Sequence, residues 1–305
     1  MSNNCLFTPY VQIRPRDIVI FTKYEGSRYK AIDFEFMYED NRPPEVKALQ
    51  TSNRPAYSYT FTKAARKKML CALDCLILCT PARKVFNPII GRSHTFQMSF
   101  ITLTYSTDEI VDYLESIVHL EYFLKWLNRT IGATMYVWRL ELQQRGQIHY
   151  HIVTDAFIRY DRIRDKWNSI QRNAGYIKRG MAPNSTDVKS AISVSDVSRY
   201  CAKYMAKEGE KNNNYTGSPI KKFYGCSKNL QGVKRPTFDV TQCPGNMSDL
   251  NDYLASPFYR HFNPSDYSTY ISMEKGAKSL TPARAALKIL GLNQAFLDWK
   301  AKILT

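Results

Sequence analysis

The sequence predicts an α+β fold: an antiparallel sheet with its helices on one face, extended at both its N- and C-terminal sides. Three observations lead there. Residues 133–143 and 147–154 read as strands joined by the short loop Gln144-Arg145-Gly146, which makes a hairpin rather than a crossover. Helix-period segments flank that hairpin, near 106–129 and 161–173. Strands that alternate with helices yet meet through hairpins belong to antiparallel α+β sheets, not to parallel βαβ units.

Taken in order, residues 1–90 offer short strand-like runs, DIVIF at 17–21 and AIDFEFMY at 31–38, around a Pro-rich, charged stretch near 40–55. A helix follows over about 62–79. It carries Cys71, Cys75 and Cys79 at i, i+4 and i+8, better suited to small apolar residues on a buried face than to a metal or redox cluster. A strand is expected near 96–105. Ser106 and Glu109 form a capping box that opens a helix to about Arg129, with Ile110, Leu114, Ile117 and Leu124 inward. After the hairpin and the 161–173 helix, GYIKRG (175–180) and VKSAISV (188–194) read as a short strand pair. The stretch from 233 to 268 is turn-rich. Two helical segments close it, 282–290 and 293–303, started by Thr281-Pro282 and broken at Gly291.

The hairpin carries the chemistry. His149 and His151 are one residue apart, so in a strand they share a face. A hairpin folded about Arg145 sets Glu141 opposite His149, and such cross-strand partners lie about 5 Å apart. Two imidazoles and a carboxylate can then close on one divalent cation and leave positions for water and phosphate. The chain has only five His in all, so a pair in register with a Glu stands out.

A second segment, residues 193–209, reads as a helix with Ser195 as N-cap, Asp196 in its first turn and Gly209 as its stop. Tyr200 and Tyr204 are i and i+4 on one face, each with a Lys three residues on, Lys203 and Lys207. A tyrosine hydroxyl with a pKa near 10 is a weak nucleophile. Beside a cation that polarises a phosphodiester, with Lys to neutralise the phosphate oxygens, it can attack phosphorus.

Together, H-Y-H at 149–151, Glu141 upstream, Y-C-A-K-Y at 200–204 and the Thr-rich FITLTYS at 100–106 resemble the HUH endonucleases. Within them the chain is similar to the rolling-circle replication initiators, because its tyrosines follow the histidines. The tyrosine pair resembles that of the two-tyrosine initiators of single-stranded DNA phages, notably microviruses. The resemblance covers about residues 95–232 and divides the chain into an N-terminal extension 1–91, a nicking-joining domain 92–232 and a C-terminal extension 233–305. It implies a palm-like antiparallel sheet, and metal ligation by Glu141, His149 and His151. Mg²⁺ or Mn²⁺ suits the oxygen-rich substrate better than Zn²⁺. It implies nucleophilic attack by Tyr200 or Tyr204 with help from Lys203 and Lys207. DNA contacts would come from Thr102, Thr104, Arg145, Lys211, Lys221, Lys222 and Lys228. Its partners would be a single-stranded DNA origin and a host helicase and polymerase. Tyr150 departs from the usual aliphatic or Phe, but faces away from the ligands.

Composition agrees. There are 43 Lys+Arg against 27 Asp+Glu, a net charge of +16, which favours a polyanionic partner. Aromatics Tyr204, Tyr215, Phe223 and Tyr224 interleave with the lysines between 200 and 235, a pattern suited to stacking bases beside phosphate contacts. No apolar run is long enough to span a membrane and the N-terminus lacks a signal-peptide pattern, so a cytoplasmic protein is expected. Seven Cys without paired C-x-x-C spacing fit a reducing compartment. No P-loop is present. A two-tyrosine transposase and a non-catalytic single-strand DNA-binding protein are the alternatives. The first usually carries a Cys-rich zinc segment, absent here, and nicking of an origin strand would exclude the second.

Overall fold

The computed structural model describes residues 7–24, 61–88, 91–191, 200, 214–265, 268–274 and 281–304. The chain divides into two compact units, one from residues 1–55 and 234–305, the other from 56–233. The fold is α+β, with antiparallel sheets and six helices among the described residues.

In the first unit, β1 (Phe7–Ile13) and β2 (Asp17–Tyr24) share a sheet with β10 (Thr237–Asp239), β11 (Tyr259–Ser265) and β12 (Ser268–Met273), in the order β10-β1-β2-β12-β11. Val11, Ile13, Ile18 and Ile271 are buried, and α5 (Pro282–Ile289) packs on β2 and β12 through Ala283, Ala285 and Ala286. Thr281 caps α5 as expected, its hydroxyl accepting from the Arg284 N–H. α4 (Met247–Leu254) and α6 (Asn293–Leu304) complete the unit. The stretch expected to be turn-rich therefore holds three strands and a helix. Pro264 within β11 breaks the local pattern that would have announced the strand.

The second unit begins with α1 (Lys63–Cys79), capped by Thr62, with Cys75 and Cys79 buried on its inner face as small apolar residues. A two-stranded ribbon, β3 (Arg83–Asn87) with β4 (Arg92–Phe96), leads to the main sheet. That sheet comprises β5 (Met98–Thr104), β6 (Tyr136–Leu142), β7 (Ile148–Thr154), β8 (Thr186–Ala191) and β9 (Tyr224–Cys226), all antiparallel, in the order β8-β5-β7-β6-β9.

Period-two alternation sorts this sheet into two faces. The rows Leu103-Tyr150-Leu140 and Ile101-Ile152-Trp138 face α2 (Tyr113–Ile131) and α3 (Tyr160–Asn173), closing a core with Leu120, Phe123, Leu127, Ile163 and Trp167. The opposite rows, Thr104-His149-Glu141 and Thr102-His151-Arg139, are polar. Tyr150 lies wholly in the core, its hydroxyl hydrogen-bonded to Ser116 at 2.9 Å.

Two local expectations fail. The helix expected to open at Ser106 starts at Tyr113, capped by Asp112, whose carboxylate accepts from the Leu114 N–H at 2.8 Å. Residues 106–111 form a loop because distant side chains satisfy its backbone: Gln171 takes the Ser106 N–H, and Gln147 binds both the Val111 N–H and the Glu109 carbonyl. The inner face turns accordingly, so Leu124 is buried while Leu114 is 53% exposed. Residues 175–180 are turns rather than a strand. Gly175 and Gly180 both take left-handed φ of 85°, and β8 pairs with β5 instead. The 193–209 helix falls outside the described residues except for Tyr200. No helix among the described residues is long and apolar enough to cross a membrane.

The β6–β7 turn is closed by Gln143 N–H to the Gln147 carbonyl and Gly146 N–H to the Gln143 carbonyl. Gly146 has φ 90°, and a Cβ there would run into the carbonyl of Asn214. Gly146→Ala is therefore expected to destabilise this unit by about 1–3 kcal/mol. A urea unfolding midpoint equal to that of the parent protein would refute this.

Candidate active site on the polar face of the main sheet

The hairpin register brings the predicted residues together. Glu141 pairs with His149 and Arg139 with His151 across β6–β7, as the loop symmetry about Arg145 requires. The two imidazoles lie 4.7 Å apart between ring centres. His151, only 3% exposed, meets Glu141 Oε2 with its Nε2 at 2.7 Å. Its Nδ1 faces the Thr102 hydroxyl at 3.4 Å. His149 Nδ1 faces the Thr104 hydroxyl at 3.2 Å and the Gln143 amide at 3.0 Å.

Tyr200 reaches the same face. Its ring stacks on Phe100, with centres 3.9 Å apart and planes within 6°. Its hydroxyl lies 3.4 Å from Thr102 Oγ1 and 3.5 Å from His151 Nδ1. Tyrosine and carboxylate thus meet opposite nitrogens of one imidazole. Tyr204, Lys203, Lys207 and Lys211 lie outside the described residues.

The electrostatics set the charge states. Burial, reinforced by neighbouring His151, holds His149 down to about 4, so it is neutral at neutral pH. Burial pushes the Glu141 carboxyl up. The hydrogen bond from His151 and the charges of His151, Arg139 and His149 outweigh it and hold the group below the usual carboxylate range. A neutral imidazole and an ionised carboxylate are the forms that bind a divalent cation. Among the described residues no three His, Cys, Asp or Glu side chains stand in a metal-holding group, because Glu141 is engaged in its direct hydrogen bond to His151. The chemistry of the donors nevertheless fits a cation: nitrogen and carboxylate oxygen, in register, on one polar face.

Sequence reasoning missed three residues of this face. Arg139 is 1% exposed, its guanidinium 5.1 Å above the Phe61 ring. Gln143 adjoins His149, and Phe100 carries Tyr200. The signal for the first two was simple alternation, since residues 139, 141 and 143 share one side of a strand.

The remaining expected DNA contacts lie elsewhere. Arg145 is at the hairpin tip, paired with Asp108 at 3.4 Å. Lys221, Lys222 and Lys228 are exposed. Lys222 Nζ lies 5.7 Å from the ring of Trp138, a residue of the core-facing row, which puts it on the side of the sheet opposite the histidines. Two aromatics expected to stack on bases are structural instead. Tyr215 is buried, accepting from the Tyr113 N–H at 2.8 Å and donating to the Ser218 carbonyl at 3.1 Å. Phe223 packs against the core. Tyr224 is half-buried beside Phe61.

Residues 98–209 match the model of a family described as replication-associated protein ORF2. The match starts with β5, contains both histidines and Glu141, runs through Tyr200 and Tyr204, and spans about a third of the chain. Over that stretch the chain is similar to replication-associated proteins. No curated protein and no solved structure matches it.

Burial also makes stability depend on pH. His149 and the buried His119 both have lowered pKa values, so below about 6.5 the unfolded chain takes up protons that the folded one refuses. Stability therefore falls as pH drops from about 6.5 towards 4. The urea midpoint of metal-free protein should be lower at pH 5 than at pH 7, and a rise between them would contradict the burial of these rings.

Proposed function

We propose that this protein is a replication initiator that nicks and rejoins single-stranded DNA at an origin, starting and ending rolling-circle replication through a 5′-phosphotyrosine. One observation carries the reading: Glu141, His149 and His151 stand in register on a polar face that the Tyr200 hydroxyl also reaches, 3.5 Å from His151. The match of this stretch to replication-associated proteins supports an initiator role.

Glu141, His149 and His151 would hold the cation. Bound Mg²⁺ or Mn²⁺ supplies polarisation of the scissile phosphate. The chain's own residues do the rest. The Tyr200 oxygen attacks phosphorus, its O–P bond forming as the bond to the 3′ oxygen breaks. The tyrosine gives up its proton and the leaving 3′ oxygen takes one, becoming the primer end for a host polymerase behind a host helicase. Lys203 and Lys207 neutralise the phosphate oxygens. One phosphoester replaces another, so the link is stored and can be reversed. Tyr204, one helical turn from Tyr200, cleaves the regenerated origin while the first link is resolved. Such a protein works in the cytoplasm of the host cell.

The test is to incubate the protein with Mn²⁺ and origin-strand DNA and look for a protein–DNA adduct that survives denaturation. Chelation, or His149→Ala with His151→Ala, should reduce nicking to background while DNA binding persists. Glu141→Gln should be milder, because an amide oxygen still coordinates. Full nicking by the double His variant would sink the metal assignment.

The tyrosines separate in a second assay. Tyr200→Phe and Tyr204→Phe should each still trap an adduct but fail to release a closed circle, and the double Phe variant should trap none. If one single variant is dead for nicking while the other still releases circles, there is one nucleophile and no alternation.

A further inference from the structure

The face that carries the histidines repeats one chemical pairing twice. Thr102-Leu103-Thr104 on β5 runs antiparallel to His149-Tyr150-His151 on β7, so Thr102 lies opposite His151 and Thr104 opposite His149. Leu103 and Tyr150, the residues between, point together into the core. Each threonine hydroxyl meets the Nδ1 of its own partner, at 3.4 and 3.2 Å. The spacing of the hydroxyls is thus the spacing of the imidazoles, and it leaves both Nε2 atoms for other work.

We propose that Thr102 and Thr104 are positioning residues for the histidine pair rather than DNA contacts. They set the rotation of each ring and serve whichever proton its Nδ1 carries. This rests on the proposed metal site. A hydroxyl is suited to the task because it both donates and accepts. While His151 Nε2 donates to Glu141, as the 2.7 Å contact implies, Nδ1 carries no proton and Thr102 donates to it. When Nε2 is given to a cation, Nδ1 must carry the proton, and the same hydroxyl turns to accept it. The ring needs no new partner, and the proton only changes nitrogens. Threonine also suits the place: its β-branch favours a strand and limits χ1, so the hydroxyl stays aimed at the facing ring.

The two sites differ in what else they touch. Gln143 shares the Nδ1 of His149, so Thr104 has a second polar group beside it. Thr102 instead contacts the Tyr200 hydroxyl, and links the orientation of His151 to that of the nucleophile.

The experiment compares Thr102→Val, Thr104→Val and the double Val variant, which keep shape and remove the hydroxyl, with the matching Ser variants, which keep it. Mn²⁺ affinity is read by electron paramagnetic resonance. It should fall by about 10–100-fold in the double Val variant and recover in the Ser variants. Affinity for single-stranded DNA in the presence of chelator should be unchanged throughout. In metal-free protein with ¹⁵N-labelled histidine, Thr102→Val should shift the ring nitrogens of His151, and Thr104→Val those of His149.

Val variants that bind Mn²⁺ as tightly as the parent, or that lose metal-free DNA affinity, would overturn the proposal. So would ring nitrogens that do not respond. A parent protein that neither binds Mn²⁺ nor nicks DNA, but whose ring nitrogens do respond, would defeat the proposed function and leave the threonine role standing.

Discussion

A buried imidazole has two ring nitrogens to satisfy, and His151, 3% exposed, is almost cut off from water. An unmet polar group in such a place costs about 1–3 kcal/mol. The face around it is arranged to avoid that cost. Glu141 meets one nitrogen and Thr102 the other, and each comes from a different neighbouring strand. Both partners depend on register, and a slip of one residue would turn either side chain into the core. The tight turn at Gly146 on one side and the paired length of β5 and β7 on the other hold that register. The polar face is therefore as demanding of the sheet as the apolar face beneath it.

That dependence runs both ways through β7. Tyr150 and Ile152 anchor the strand in the core against α2, and their neighbours His149 and His151 are carried to the other side by alternation alone. Burial then does chemical work. It keeps His149 neutral, and the hydrogen bond and charges around Glu141 keep that carboxyl ionised. Arg139, buried two residues before Glu141, adds a positive charge that favours the same state.

The site was legible where local rules decide. Loop symmetry about Arg145 gave the pairing of Glu141 with His149, and the two-residue period gave the shared face. The bounds of α1 and the capping of α5 by Thr281 followed from start and stop signals. What escaped was set at a distance. The capping box at Ser106 is sound by itself, but Gln171 and Gln147, far along the chain, hold those backbone groups in a loop. Tyr215 looks like a stacking residue among lysines, yet its hydroxyl closes the N-terminus of α2. Thr102 and Thr104 were noticed as a motif, and only the β5–β7 register reveals what they face. The pairing of β1 with β10 joins Tyr10 to Asp239, a contact no local pattern announces.

That last pairing bears on how the molecule is made. β1 and β2 leave the ribosome early, but the strands that flank them in their sheet, β10 and β12, come only after the whole of residues 56–233. The unit bearing the histidines is continuous and can fold as soon as it emerges. The other unit must close across a long separation, which is slow because the intervening chain has to be brought round before any contact forms. In synthesis, then, the chemical centre is complete before the sheet begun by β1 and β2, and those strands wait with their edges unpaired until the rest arrives.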